Sequence, residues 1–284
     1  MRAFSADTHP GHKRSHNEDC YKASPELGLW LVADGVGGHS NGEVASAIVR
    51  DTLDKDLAAG SNLIDAIHHS HAQILEEIAS REGSNMGSTV VAVQLCENNY
   101  EVAWVGDSRA YLFDGKSLKQ ITRDHNPVSE MLARGAITPQ QAANHPERNV
   151  LSQSLGVADT ITVAPDRIRG ELHGGQQIML CSDGLTDELS DERITQVMME
   201  GSTPADQVKA LIQGALDSGG RDNVTVVVVG EKASPENMTP MSKRQRDTLS
   251  AEKAVSADTG KRHDNKVWLL LGAMVVIALA WMLW

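Results

Sequence analysis

The chain has 284 residues, 40% of them hydrophobic and 23% charged, with a formal net charge of −12, which is room for one large domain or two small ones around a buried core. So acidic a surface excludes non-specific nucleic-acid binding, and any phosphate chemistry would have to draw local positive charge from another source such as bound metal ions. The three cysteines, Cys20, Cys96 and Cys181, form no CxxC pair; they point to neither a zinc ribbon nor a disulfide framework and fit a reducing compartment.

The first residues contain no apolar run, so no secretory signal is expected and the folded part is placed in the cytoplasm. Apolar, turn-bounded runs predict strands at 27–33, 88–95, 100–105, 110–113, 177–181 and 223–229. Between the first two, Ser40-x-x-Glu43 reads as a capping box opening a helix through Val44, Ile48, Val49 and Leu53. A second helix follows, with Ile64, Ile67, His71, Ile74, Leu75 and Ile78 on one face. Asn126-Pro127 and Thr138-Pro139 are helix-start signals for two short helices. Thr203-Pro204 opens another, with Val208, Leu211, Ile212 and Leu216 apolar. Strands and helices do not alternate as a doubly wound parallel sheet requires, so the order predicts an α+β fold with antiparallel sheets and helices outside.

The chain changes character after residue 230. Residues 231–266 are rich in Ser, Thr, Lys, Asp and Pro and carry eight Lys/Arg and six Asp/Glu, leaving a net of −14 in residues 1–230. Such a segment cannot bury enough surface to order itself and reads as a flexible linker. Residues 267–284, VWLLLGAMVVIALAWMLW, contain no charge. Eighteen apolar residues sit near the lower limit for a transmembrane helix. Trp268, Trp281 and Trp284 lie near its ends, and Lys261, Arg262 and Lys266 precede it, as expected of a tail anchor with a cytoplasmic positive flank. The expected plan is a domain at 1–230, a linker at 231–266 and a single-pass C-terminal anchor in the cytoplasmic membrane at 267–284. A buried core helix is the alternative for the last segment.

Three aspartates share a setting. Asp34-Gly35 follows Trp30-Leu31-Val32-Ala33, Asp183-Gly184 follows 178–182, and Asp222-Asn223 opens the run 224–229. Each would put a carboxylate at the end of a buried strand, where isolated charges are costly unless paired or bound to a cation. Hard divalent ions with oxygen ligands, Mg²⁺ or Mn²⁺, would resolve their repulsion. Spacing alone leaves open that these are ordinary turn residues.

The surrounding residues narrow the choice. In chain order they read Arg14-Ser15-His16-Asn17-Glu18-Asp19, Asp34-Gly35-Val36-Gly37-Gly38, Gly42-Glu43-Val44-Ala45-Ser46, Gly87-Ser88-Thr89, Gly106-Asp107-Ser108-Arg109, Thr122-x-Asp124-His125, Ser182-Asp183-Gly184-Leu185-Thr186-Asp187 and Asp222-Asn223-Val224-Thr225. This ordered set resembles the PPM family, the metal-dependent type 2C serine/threonine protein phosphatases, in its bacterial form, over residues 1–230. His145-Pro146-x-Arg148-Asn149 with Leu155-Gly156 also looks like the bacterial members. The resemblance implies a sandwich of two antiparallel β-sheets flanked by α-helices. It implies that Asp34 bridges two metal ions, that the Gly35 carbonyl joins one of them, and that Asp183 and Asp222 complete the other. Asp107 with Asp183 matches a third, weaker metal site. Glu18 and Asp19 match positions around the metals and their waters, and Arg14 matches the phosphate-binding arginine. A water activated between the two ions would then hydrolyse phosphoserine and phosphothreonine on proteins, opposing a membrane-associated serine/threonine kinase. A tethered, inactive phosphoprotein-binding module and a phosphatase for small esters are the alternatives.

The pattern departs from some members at Val36, where they carry a histidine proposed as general acid. His39 is nearby in sequence but is a weak substitute, and the proton donor is left open. His68, His69 and His71 read as ordinary helix histidines. The segment 126–149 is expected, by resemblance, to be a flap beside the site.

Overall fold

The structure is a computed structural model that describes residues 2–37, 41–81, 85–157 and 163–231. The linker, apart from Glu231, and the apolar segment 267–284 lie outside these residues, as do Ser40 and His39. Among the described residues no helix is long and apolar enough to cross a membrane.

Two antiparallel sheets stack face to face. The first joins β1 (Phe4–His9), β11 (Val224–Val229), β10 (Gln177–Cys181), β7 (Arg109–Phe113) and β8 (Leu118–Gln120), in that spatial order. The second joins β2 (Asp19–Ser24), β3 (Leu29–Gly37), β5 (Val90–Cys96), β6 (Asn99–Val105) and β9 (Asp166–Glu171), with β4 (Met86–Ser88) added to the far end of β3. α1 (Asn41–Ala58) and α2 (Leu63–Ser80) cover the second sheet, and α6 (Asp191–Glu200) and α7 (Pro204–Ser218) cover the first.

The period-two geometry of a strand decides which layer each side chain enters. Along β3, Leu29, Leu31 and Ala33 pack under α1 and α2, while Trp30 and Val32 point between the sheets. Along β11, Val224, Val226 and Val228 meet α7, while Val227 and Val229 fill the inter-sheet core. Both faces of these strands are therefore buried, which is why they read as continuous apolar runs. The expected helix–sheet–sheet–helix sandwich is what forms.

Two strand expectations need correction. The run 88–95 is not one strand: β4 ends at Ser88 and β5 starts at Val90. Thr89 interrupts the ladder because its N–H donates to the Asp34 carbonyl (2.8 Å) while its Oγ1 accepts from the Asp34 N–H (3.1 Å). Nor is Asp34 at a strand end, since β3 continues to Gly37 by pairing Gly35 with Ser88 and Val36 with Gly87. The charged edge strand β9 and the mixed β1 were not anticipated, because neither has the apolar content that marks a buried strand.

The capping chemistry is local and as expected. Asn126 accepts from the Ser129 N–H at 2.7 Å to start α3 (Pro127–Ala133). Thr138 and Gln141 form a capping box on α4 (Pro139–Ala143), and Thr203 and Asp206 form one on α7. Such caps satisfy N–H groups that have no partner in the helix's first turn.

Candidate metal and phosphate site

One end of the sandwich carries a cavity of ≈ 400 Å³ that brings together Arg14, Glu18, Asp34, Asp107, Asp183 and Asp222. Its wall includes Val36, Asn149 and Leu151. Of the eight residues to which the resemblance gives a metal or phosphate role, Asp19 alone is absent from the lining. Gly35 is present on it, beside Asp34.

Each carboxylate is held by its own local device. Asp34 sits in β3 with its backbone locked by Thr89, whose Oγ1 also pairs with Ser108 Oγ at 2.8 Å. Asp183 opens the one-turn helix α5 (Asp183–Thr186), immediately after β10. Gly184 must be a glycine there, because a Cβ would lie 1.9 Å from the Asn223 carbonyl oxygen. Gly35 is equally constrained: a Cβ would lie 2.0 Å from the Gly42 carbonyl oxygen. Asp107 follows Gly106, whose φ of +107° is open to glycine and rarely to other residues. Asp222 precedes β11 and accepts from Arg14 Nη2 at 2.7 Å.

Asn223 does a job that sequence reading missed. Its Oδ1 accepts from the Glu18 N–H (2.8 Å), and its Nδ2 donates to the carbonyls of Pro10 and His16 (both 2.9 Å). It therefore staples the loop that carries Arg14 and Glu18 to the strand that carries Asp222. The only sequence signal was its adjacency to Asp222.

Glu18 and Asp19 part company despite being neighbours. Glu18 faces the cavity. Asp19 is buried beneath it, where Oδ2 accepts from Ser182 Oγ and Thr225 Oγ1 (both 2.7 Å) and Oδ1 has no hydrogen-bond partner. An orphaned buried carboxylate oxygen is costly.

The electrostatics are those of acids crowded without enough positive charge. Burial, and then the charges of Asp19, Asp183, Asp107 and Asp222, push Asp34 well above the usual carboxylate range. Burial and Asp183 raise Asp107 to about 8. Burial raises Asp19 to about 7 against the pull of its two hydroxyl donors, and burial with Asp187 and Asp222 raises Asp183 to about 6. Five acidic side chains and one basic one line the cavity. Among the described residues no three His, Cys, Asp or Glu side chains already stand as a metal's ligand set. The fit to a cation is therefore one of charge and donor type: hard oxygens, desolvated and mutually repelling, which divalent ions of the Mg²⁺ or Mn²⁺ kind would relieve. Residues able to hold them are Asp34, Asp183, Asp222, Asp107 and Glu18, with the Gly35 carbonyl.

The helix histidines have other partners. His71 Nδ1 accepts from the Gly156 N–H at 3.0 Å, and His69 pairs with Asp56 at 2.6 Å.

The chain's similarities agree with this geometry. Residues 1–131 match the family model for protein phosphatase 2C. The chain is 35% identical over 232 residues to the serine/threonine protein phosphatase PstP of Mycobacterium tuberculosis, covering 79% of this chain but 44% of that protein. It is 31% identical over 236 residues to the serine/threonine phosphatase stp of Listeria monocytogenes, covering 78% of this chain and 93% of the relative. Among solved structures, the PstP catalytic domain in complex with two manganese ions superposes with a TM-score of 0.71 at 33% identity, covering 82% of this chain and 99% of that one. The chain belongs to the protein phosphatase 2C family.

Proposed function

We propose that the domain hydrolyses phosphoserine and phosphothreonine on proteins, using two Mn²⁺ or Mg²⁺ ions and a weaker third. Asp34, the Gly35 carbonyl, Asp183 and Asp222 would hold the first two, and Asp107 with Asp183 would hold the third. The observation that carries the reading is the cavity itself, with five acids against the single arginine Arg14. An anionic phosphate is repelled by such a site unless cations are resident. When bound, divalent ions supply that charge and lower the pKa of a coordinated water towards neutrality.

The chain's own residues do the remaining work. Arg14 is tied to Asp222 through one Nη2 contact at 2.7 Å, and its half-exposed guanidinium keeps further N–H donors for phosphoryl oxygens. Thr89 keeps the Asp34 backbone from drifting by accepting from its N–H and donating to its carbonyl. Asn223 holds the Arg14 loop against Asp222, so phosphate and cation positions stay in register. Val36, 40% exposed at the mouth, offers no proton, so leaving-group protonation does not come from that position.

Release of phosphate from a phosphothreonine peptide should require Mn²⁺ or Mg²⁺ and fall more than about 100-fold in Asp34→Asn. Equal activity in EDTA would sink the reading.

The apolar segment 267–284 and its basic flank support a tail anchor that keeps the domain at the inner membrane face, near a serine/threonine kinase or its targets. A 36-residue linker of this kind reaches roughly 30–36 Å root-mean-square. The full-length chain should sediment with membranes and resist a high-salt wash; recovery in the soluble fraction would refute the anchor.

A further inference from the structure

Four segments around the site meet at His125, which is 7% exposed. Its N–H donates to the Gly106 carbonyl (2.9 Å), and its own carbonyl accepts from the Ser152 N–H (2.8 Å). In the ring, Nδ1 accepts from the Gly106 N–H at 3.2 Å and Nε2 faces Asp166 Oδ2 at 3.4 Å. The ring also stacks on Trp104, with centroids 6.3 Å apart. Gly106 therefore has both its backbone donor and its backbone acceptor engaged by one residue. It is the glycine that presents Asp107, while Ser152 follows Leu151 on the cavity wall.

We propose that His125 is a positioning residue that locks the Asp107 turn to the segment returning from the flap, so that acidic floor and flap wall hold one geometry. A turn at positive φ has little steric restraint of its own, and here two hydrogen bonds to a single residue supply it. Accepting at Nδ1 leaves the ring's proton on Nε2, directed at Asp166, so one tautomer serves both contacts. The neighbouring Asp124 cannot substitute, because its carboxylate is spent on Arg109 and Gln120.

Three variants separate this role from simple core filling. His125→Asn keeps an acceptor near Nδ1, His125→Gln moves its amide towards Nε2, and His125→Leu keeps bulk alone. Amide exchange in the peptide covering 104–109 should quicken about tenfold in the Leu and Gln variants, the equivalent of one lost hydrogen bond, and stay near wild type in Asn, whereas 149–153, held through the backbone carbonyl of residue 125, should change less in all three. Phosphate release with Mn²⁺ should follow the same order, with kcat down about tenfold in Leu and Gln and KM little changed. Only this kinetic arm rests on the phosphatase reading. If the wild-type chain releases no phosphate, that reading fails and exchange alone decides the positioning role. Equal exchange in the Asn and Gln variants, or wild-type exchange in both at unchanged Tm, would overturn the proposal. Should the Leu variant fail to fold, the Asn–Gln pair still decides.

Discussion

Replacing Arg109 with methionine should destabilise the domain more than any surface charge substitution. Arg109 forks onto Asp124, with Nε at 3.0 and 3.1 Å from the two carboxylate oxygens and Nη2 at 2.7 Å. It also donates to Tyr111 OH (3.2 Å), which in turn donates to Asp191 at the start of α6 (3.1 Å). The Asp124 side chain is 7% exposed and that of Arg109 27%. Methionine fills most of the space but leaves the buried Asp124 carboxylate, among the described residues, with Gln120 as its one remaining side-chain donor (2.9 Å). Breaking a buried pair from one side costs about 3–5 kcal/mol. The partial exposure of Arg109 lets water relieve some of this, so the lower end, about 3 kcal/mol, applies. For a domain of this size that is a fall in Tm of roughly 6–12 °C, measurable by calorimetry or circular dichroism. Adding Asp124→Leu should recover part of the loss, because it removes the orphaned charge. A fall of less than about 2 °C, or a double variant worse than the sum of the singles, would refute the assignment of this pair as buried and mutually dependent.

The acidic cluster predicts a pH dependence. Asp34, Asp107, Asp19 and Asp183 are all raised from an unfolded value of 3.8, so the metal-free folded state binds more protons than the unfolded chain. Its stability should therefore fall as pH rises from about 4 towards 8. Mn²⁺ replaces those protons, so the gain in Tm on adding it should be larger at pH 8 than at pH 5.5; equal gains would count against carboxylate binding. Gly35→Ala should impair the site, since its Cβ would sit 2.0 Å from the Gly42 carbonyl and 2.8 Å from that of Glu18. The backbone must move, at a cost of about 1–3 kcal/mol, and Mn²⁺ affinity measured by calorimetry should fall. Unchanged affinity would mean that the close approach of β3 to the start of α1 does not set the cation site.

Much of this protein was legible because its chemistry is written locally. Strands were legible as continuous apolar runs such as 177–181 and 224–229, which burial on both faces requires, and their order gave antiparallel sheets with helices outside, while the stacking of two sheets came from the resemblance. The caps at Asn126, Thr138 and Thr203 followed from residues that satisfy a helix's first N–H groups wherever it lies in the fold. Asp34, Asp183 and Asp222 stood out because each lies at one end of an apolar run, and Asp107 through the resemblance that Gly106-Asp107-Ser108-Arg109 carries. What the tertiary structure alone decided was which neighbours meet across long separations. Glu18 and Asp19 are adjacent in sequence, yet one faces the cavity and the other is sealed against Ser182 and Thr225, because consecutive residues leave an extended chain on opposite sides. Thr89, Asn223 and His125 act through contacts to residues far away in the chain, and no local pattern encodes a partner that only folding brings within hydrogen-bonding distance.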